Sequence, residues 1–91
     1  MNHAEVCEQV IERDRQCIDC GAYPAAVHHV VGRAHFGKHG QAKCWALKNL
    51  CLLCPECHAK AHTHQARVKH LGMLAERYHY DYGEKPWSEY I

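Results

Sequence analysis

Residues 49–58 read Asn49-Leu50-Cys51-Leu52-Leu53-Cys54-Pro55-Glu56-Cys57-His58. An uncharged, Leu-rich run enters a Cys-x-x-Cys pair, and a histidine follows directly. The wider segment 45–53 predicts a second strand or extended segment. Pro55, between the two cysteines, suits the first turn of a helix. Upstream, Cys17-Ile18-Asp19-Cys20-Gly21 supplies a matching pair. Its glycine permits the positive φ that a zinc knuckle needs after the second ligand. Zn²⁺ accepts four thiolates at about 2.3 Å, and each short Cys-x-x-Cys turn brings two sulfurs to one side. Cys17, Cys20, Cys54 and Cys57 are therefore the expected ligands of a structural zinc with a closed coordination shell. The 33 residues between the pairs exceed the spacing of a compact ribbon, so a further element is inserted there. Cys7, Cys44 and Cys51 lack ligand spacing and read as small buried hydrophobes.

Composition agrees with a metal staple. The chain has 91 residues, seven Cys, ten His and a single Phe. A core of that size is marginal and needs reinforcement. No uncharged stretch is long enough to span a bilayer, and the first fifteen residues, MNHAEVCEQVIERDR, contain no apolar segment of the signal-peptide kind. The expectation is a soluble cytoplasmic protein with no membrane partner, in which disulfides are disfavoured and metal is the better use of the cysteines. The net charge is +1. Residues 21–55 nonetheless carry Arg33, Lys38, Lys43 and Lys48 with no acid, whereas residues 1–20 hold two Arg against five acids. A basic middle fits a local anionic partner, but taken alone the four charges favour the reading of an ordinary solvated loop.

Along the chain, residues 4–15 place Val6, Val10 and Ile11 at helical spacing and predict a short amphipathic helix. Residues 26–31 (AVHHVV) predict a strand, and Gly32 to Lys43 an irregular loop. From His58 to about Tyr80 the pattern predicts one long helix, ended by Gly83 and Pro86 and followed by an aromatic tail, WSEYI. The whole of 1–91 reads as one small α+β domain.

The inserted element carries the remaining chemistry. His28 and His29 are neighbours on the predicted strand, so their side chains point to opposite faces. His58 and His62 are four apart in the predicted helix and share a face, able to chelate one ion. Each histidine alone is ordinarily a surface or core residue; His35, His39, His64, His70 and His79 receive no assignment. The informative feature is the order Cys-x-x-Cys, His-His, Asn, Cys-x-x-Cys-His, His.

That order, over residues 17–62, resembles the HNH endonucleases, the ββα-metal or His-Me finger nucleases, and most closely small phage-encoded members with a VHH or AHH core. The resemblance implies a zinc-stapled ββα-metal core flanked by an N-terminal helix and a long C-terminal helix. It implies His29 as general base and Asn49 as the residue that holds the loop and orients the His29 ring through a backbone hydrogen bond. His28, His58 and His62 would be the ligands of a catalytic divalent cation. Many members carry Asp at the position of His28, and a His-His version occurs in the colicin nuclease branch. Imidazole ligands suit Ni²⁺, Zn²⁺, Co²⁺ or Mn²⁺ better than Mg²⁺.

A neutral imidazole with a pKa near 6.5 can take a proton from water, and a single cation can offer open positions to phosphate and leaving oxygens. The implied activity is DNA hydrolysis with weak sequence preference, by nicking or double-strand cleavage, leaving 5′-phosphate and 3′-hydroxyl ends. Arg33, Lys38, Lys43 and Lys48 would follow the DNA backbone. The implied setting is a phage or mobile element inside a bacterial host, with a packaging or recombination protein as a possible targeting partner. Most of Trp45, Trp87, Tyr78, Tyr80 and Tyr82 read as packing residues rather than base-stacking ones. The competing function class is a zinc-ribbon module that binds nucleic acid or protein without catalysis. It accounts for the cysteines and the basic middle but not for the His-His, Asn and His58/His62 set together.

Overall fold

In a computed structural model of the chain, which describes residues 2–82, five α-helices and a two-stranded sheet are built around two apolar clusters. The predicted helix terminators Gly83 and Pro86 and the tail containing Trp87 lie outside the described residues. Among those described, no helix is long and apolar enough to cross a membrane.

Helix α1 (His3–Asp14) starts at Asn2, whose side chain accepts a hydrogen bond from the Glu5 amide, and its buried residues are Val6, Val10 and Asp14. These are spaced by four, so the buried stripe runs into a carboxylate. Ile11, expected on that stripe, is half exposed. The chain then forms the Cys17–Cys20 knuckle, closed by a hydrogen bond from Gly21 N to Cys17 O at 2.9 Å, with Gly21 at φ +80° as its turn requires.

Strand β1 (Ala26–His29) pairs antiparallel with β2 (Leu50–Leu53), placing His28 opposite Cys51 and His29 opposite Leu50. Every residue of β2 is buried. Leu50 and Leu52 pack against Val6 and Val10 of α1, while Cys51 and Leu53 face the larger cluster that includes Leu71 and Leu74. Both strands are shorter than expected. Beyond His29, Val31 pairs with the Asn49 side chain instead of a strand backbone, and residues Leu47–Asn49 close into a 3₁₀ turn through Asn49 N to Ala46 O at 2.9 Å. Segment 32–43, expected as an irregular loop, is mostly helical: α2 (Arg33–Phe36), a 3₁₀ turn (Lys38–Gly40) and α3 (Gln41–Cys44). Gln41 ties this segment together by donating to Gly37 O at 2.7 Å.

The expected single helix from His58 to Tyr80 is two helices, α4 (Pro55–Ala59) and α5 (His64–Tyr78). Pro55 opens α4 as its φ preference predicts. Thr63 makes the break, because its hydroxyl caps α5 by accepting from Ala66 N at 3.0 Å, which fixes its own backbone as extended. Helix α5 ends at Tyr78, where His79 adopts a left-handed conformation and returns its N–H to Ala75 O.

A polar hub pins α1, β2 and the end of α5 together. The buried Asp14 carboxylate accepts from Arg13 Nε at 2.7 Å, Tyr78 Oη at 2.7 Å and the backbone amide of Leu52 at 3.0 Å. Arg13 in turn donates to the carbonyls of Leu47 and Leu50 and to Tyr80 Oη. With the Ile18 N to Leu52 O bond at 3.0 Å, these contacts cover the outer edge of β2.

Candidate functional site

Two groups of side chains carry chemistry. In the first, the potential ligand atoms of Cys17, Cys20, Cys54 and Cys57 all lie within 4.8 Å of one another. Sulfurs at the corners of a zinc tetrahedron are about 3.8 Å apart, given a Zn–S bond of about 2.3 Å. The Cys20 and Cys54 sulfurs are 3.6 Å apart, so the cluster is able to hold a structural metal ion such as zinc. Local backbone explains the convergence: the knuckle is hydrogen-bonded to β2 through Ile18, and Cys54 stands at the N-terminal end of α4, where its sulfur accepts from Cys57 N. Burial opposes ionisation of Cys17, but hydrogen bonds from the backbone of Cys54, Cys20 and Asp19 outweigh it and lower that thiol to about 6. Burial and neighbouring thiols push Cys57 the other way. A metal ion binds such sulfurs as thiolates, so its binding is coupled to proton release.

Helix α5 braces this cluster. Asp19, inside the knuckle, accepts from Lys69 Nζ at 2.7 Å and lies 3.1 Å from Nε2 of the buried His70, while Arg77 donates to Ile18 O at 3.0 Å. The hydrogen bond from Lys69 holds the Asp19 carboxyl below its usual range against the opposing effect of burial, and His70 adds to it.

The second group is a pocket of about 370 Å³ bordered by His28, His29, His58 and His62 together with Arg33 and Arg67. The ring of His28 is 4.7 Å from that of His58 and 6.2 Å from that of His62, centroid to centroid, and the last two are 5.8 Å apart. Two imidazoles sharing one ion place their centroids roughly 5 Å apart, given metal–nitrogen bonds of about 2.0–2.1 Å. His58 and His62 are exposed. Among the described residues the four cysteines are the group whose potential ligand atoms converge within 4.8 Å; the three imidazoles are neighbours without converging that closely. His28 in particular is buried, and its Nε2 has no hydrogen-bond partner. Burial, reinforced by His58 and other neighbouring imidazoles, lowers its pKa to about 3, which keeps the ring neutral as a ligand must be. The route to this geometry differs from the expected one. His62 lies in the break between α4 and α5, not on a continuous helical face, and the break directs it toward His28.

His29 is held separately. Its Nδ1 lies 3.0 Å from Cys44 O and 3.3 Å from Cys44 Sγ; in the tautomer with the proton on Nδ1 it donates to the carbonyl, which only accepts, and Nε2 is the free acceptor. The same carbonyl accepts from Asn49 Nδ2 at 3.0 Å. Asn49 is fully buried and also binds both backbone groups of Val31, taking the amide on Oδ1 and donating Nδ2 to the carbonyl, each at 3.0 Å. The opposite amide orientation would set N–H against N–H, so the assignment is forced. Burial lowers the His29 pKa, with the Cys44 carbonyl opposing that shift. The indole of Trp45 meets the His29 ring edge-on at 4.5 Å and stacks on His3 at 3.7 Å, which makes it a packing residue.

Of the four basic residues expected to follow nucleic acid, Arg33 borders the pocket. Lys38 and Lys43 are exposed on the 33–44 segment, and Lys48 is turned away, donating to Asp81 O at 2.9 Å and lying over the Tyr82 ring. Tyr78 and Tyr82 are likewise engaged, Tyr78 with Asp14 and Tyr82 with Lys48 O. Cys44 and Cys51 are buried as expected, and Cys7 is half-buried. Sequence reasoning passed over Asp14, His70 and Arg67. The first two had a signal: each falls on a helical stripe otherwise made of buried apolar residues, Val6 and Val10 in one case, Leu71 and Leu74 in the other.

No protein-family model matches the chain, and neither the curated proteins nor the solved structures contain one significantly similar to it.

Proposed function

We propose that this protein is a metal-dependent DNA endonuclease of the HNH type, with a structural zinc at Cys17, Cys20, Cys54 and Cys57 and a catalytic divalent cation at His28, His58 and His62. The observation that carries the proposal is the division of labour between two adjacent strand residues. His28 presents a buried, unpartnered Nε2 beside His58 and His62, while His29, bordering the same pocket, is fixed by its Nδ1 and leaves Nε2 available.

His29 then takes the proton of an attacking water at Nε2, and the Cys44 carbonyl stabilises the imidazolium through the Nδ1–H bond. Asn49 holds that carbonyl in place and is a positioning residue. His28, His58 and His62 would hold the cation through ring nitrogens. When bound, the cation supplies Lewis-acid stabilisation of charge on the phosphate and leaving oxygen. Mg²⁺ suits this all-nitrogen set less well than Mn²⁺, Ni²⁺ or Zn²⁺.

Metal counting combined with turnover tests the proposal. Zinc-loaded protein should bind one further equivalent of Mn²⁺ or Ni²⁺ and convert supercoiled plasmid to nicked or linear product. His58→Ala should lose both properties while retaining its zinc. Plasmid left intact with every cation, by a folded protein with zinc bound, would overturn the nuclease assignment in favour of a zinc-stapled binding module.

A further inference from the structure

Arg67 has no place in the scheme above, yet its surroundings single it out. It is half-buried, it borders the histidine pocket, and among the described residues its guanidinium makes no hydrogen bond or ion pair. The other inward-turned arginines are satisfied: Arg13 by Asp14, two backbone carbonyls and Tyr80, and Arg77 by Ile18 O. Arg67 also sits in the first turn of the fifteen-residue helix α5, which carries no acidic residue there. A cation is disfavoured at the positive end of a helix, where an anion is favoured. The pocket itself contains no carboxylate among its bordering residues. Arg33, exposed at the start of α2, enters the same pocket from a separate element and likewise has no side-chain partner among the described residues. Among the described residues, two unpaired guanidiniums and four imidazoles with no acid beside them form a site whose missing component is an anion with several oxygens, which planar guanidiniums bind bidentately.

We propose that Arg67 and Arg33 form a two-point clamp for a DNA backbone phosphate across the histidine pocket, and that the clamp engages DNA without a divalent cation. The identity of the anion as DNA phosphate rests on the nuclease proposal; the clamp itself rests on the two free guanidiniums and the carboxylate-free pocket. Arg67 positions the phosphate relative to His29 and the trio, so its loss weakens binding of substrate and not only its turnover.

The test is fluorescence anisotropy of a labelled double-stranded oligonucleotide with zinc-loaded protein and no added divalent cation, over a salt series. Arg67→Ala should raise Kd about tenfold and reduce the slope of log K against log salt by about one. Arg67→Lys should keep the slope but recover only part of the affinity, since lysine cannot bind bidentately. Arg33→Ala should act in the same direction, and the double variant should bind more weakly than either. Zinc content and melting temperature confirm folding, and Arg67→Gln serves if the alanine variant fails that check. Unchanged Kd and salt slope in Arg67→Ala would overturn the clamp, as would wild type that does not bind DNA.

The plasmid assay separates the two proposals. Wild type that cleaves, with Arg67→Ala unchanged in Kd and KM, removes the clamp and leaves the nuclease. Arg67-dependent binding by a protein that never cleaves supports the clamp and removes the nuclease.

Discussion

Replacing Asn49 with alanine tests the link between fold and site most sharply. The side chain is fully buried and makes three hydrogen bonds at 3.0 Å, one accepted from Val31 N and two donated, to Val31 O and Cys44 O. Each is worth about 1 kcal/mol net, and an orphaned buried donor costs about 1 kcal/mol or more in addition. Cys44 O retains its bond to His29 Nδ1, but the amide of the buried Val31 loses its acceptor. The expected destabilisation is therefore about 4 kcal/mol, a large share of the roughly 5–15 kcal/mol that holds a domain together. In a chain of this size that corresponds to a fall in Tm of about 15–30 °C. Asn49→Asp should also destabilise, because it keeps the bond from Val31 N and turns a second oxygen toward two carbonyls. The assay is thermal unfolding of zinc-loaded protein followed by far-UV circular dichroism. A Tm for Asn49→Ala within about 5 °C of wild type would refute the view that this amide bridges the 44–49 segment to the end of β1.

Other consequences are equally direct. Asp14→Ala leaves Arg13 half-buried without its carboxylate and removes the partner of the Leu52 amide. It should cost about 3–5 kcal/mol in urea unfolding, and a loss below about 1 kcal/mol would show that the hub is not structural. Gly40→Ala would place a Cβ 2.8 Å from Cβ of Phe36, whereas a Cβ at Gly32 meets nothing within 4 Å. The first should destabilise by about 1–3 kcal/mol and the second should be nearly neutral in the same melt, so equal effects would contradict the packing of the 33–44 segment. Removing metal with a strong chelator should unfold the chain cooperatively, and one equivalent of Zn²⁺ should restore it, because the knuckle anchors both β2 and α5. A metal-free chain with an unchanged transition would contradict a structural role for the four cysteines.

What was legible in the sequence follows from how local each determinant is. The Cys17–Gly21 knuckle and Pro55 at the head of α4 rest on short-range backbone preferences and are present, and strands form within the expected 26–31 and 45–53 segments, shortened to 26–29 and 50–53 where their long-range pairing ends. The break at residues 60–63 was hidden because Lys60, Ala61 and His62 are compatible with a helix. Only Thr63 signalled it, by competing as a cap for α5. The 32–43 segment is helical where its composition predicts an irregular loop, because its order comes from contacts within itself, Gln41 with Gly37 and Phe36 with Gly40, which no periodicity records. The four clustered cysteines stand out through spacing alone. His58 and His62 are paired in sequence by a helical i, i+4 relation that the break at residues 60–63 interrupts, while His28 enters only through the resemblance; their three rings are neighbours, 4.7, 6.2 and 5.8 Å between centroids. Arg67 has no sequence signature; its significance lies in what is missing around it.

The central claim is that His29 acts as a base in phosphodiester hydrolysis. Conversion of supercoiled plasmid by zinc-loaded wild type and His29→Ala, each supplied with Mn²⁺ or Ni²⁺, tests it most directly. The account predicts metal-dependent nicking by wild type and a loss of at least about a hundredfold in the variant, the usual scale of a general base, with zinc content and DNA affinity retained. Equal rates in the two proteins, or no cleavage by wild type with any cation, would contradict it.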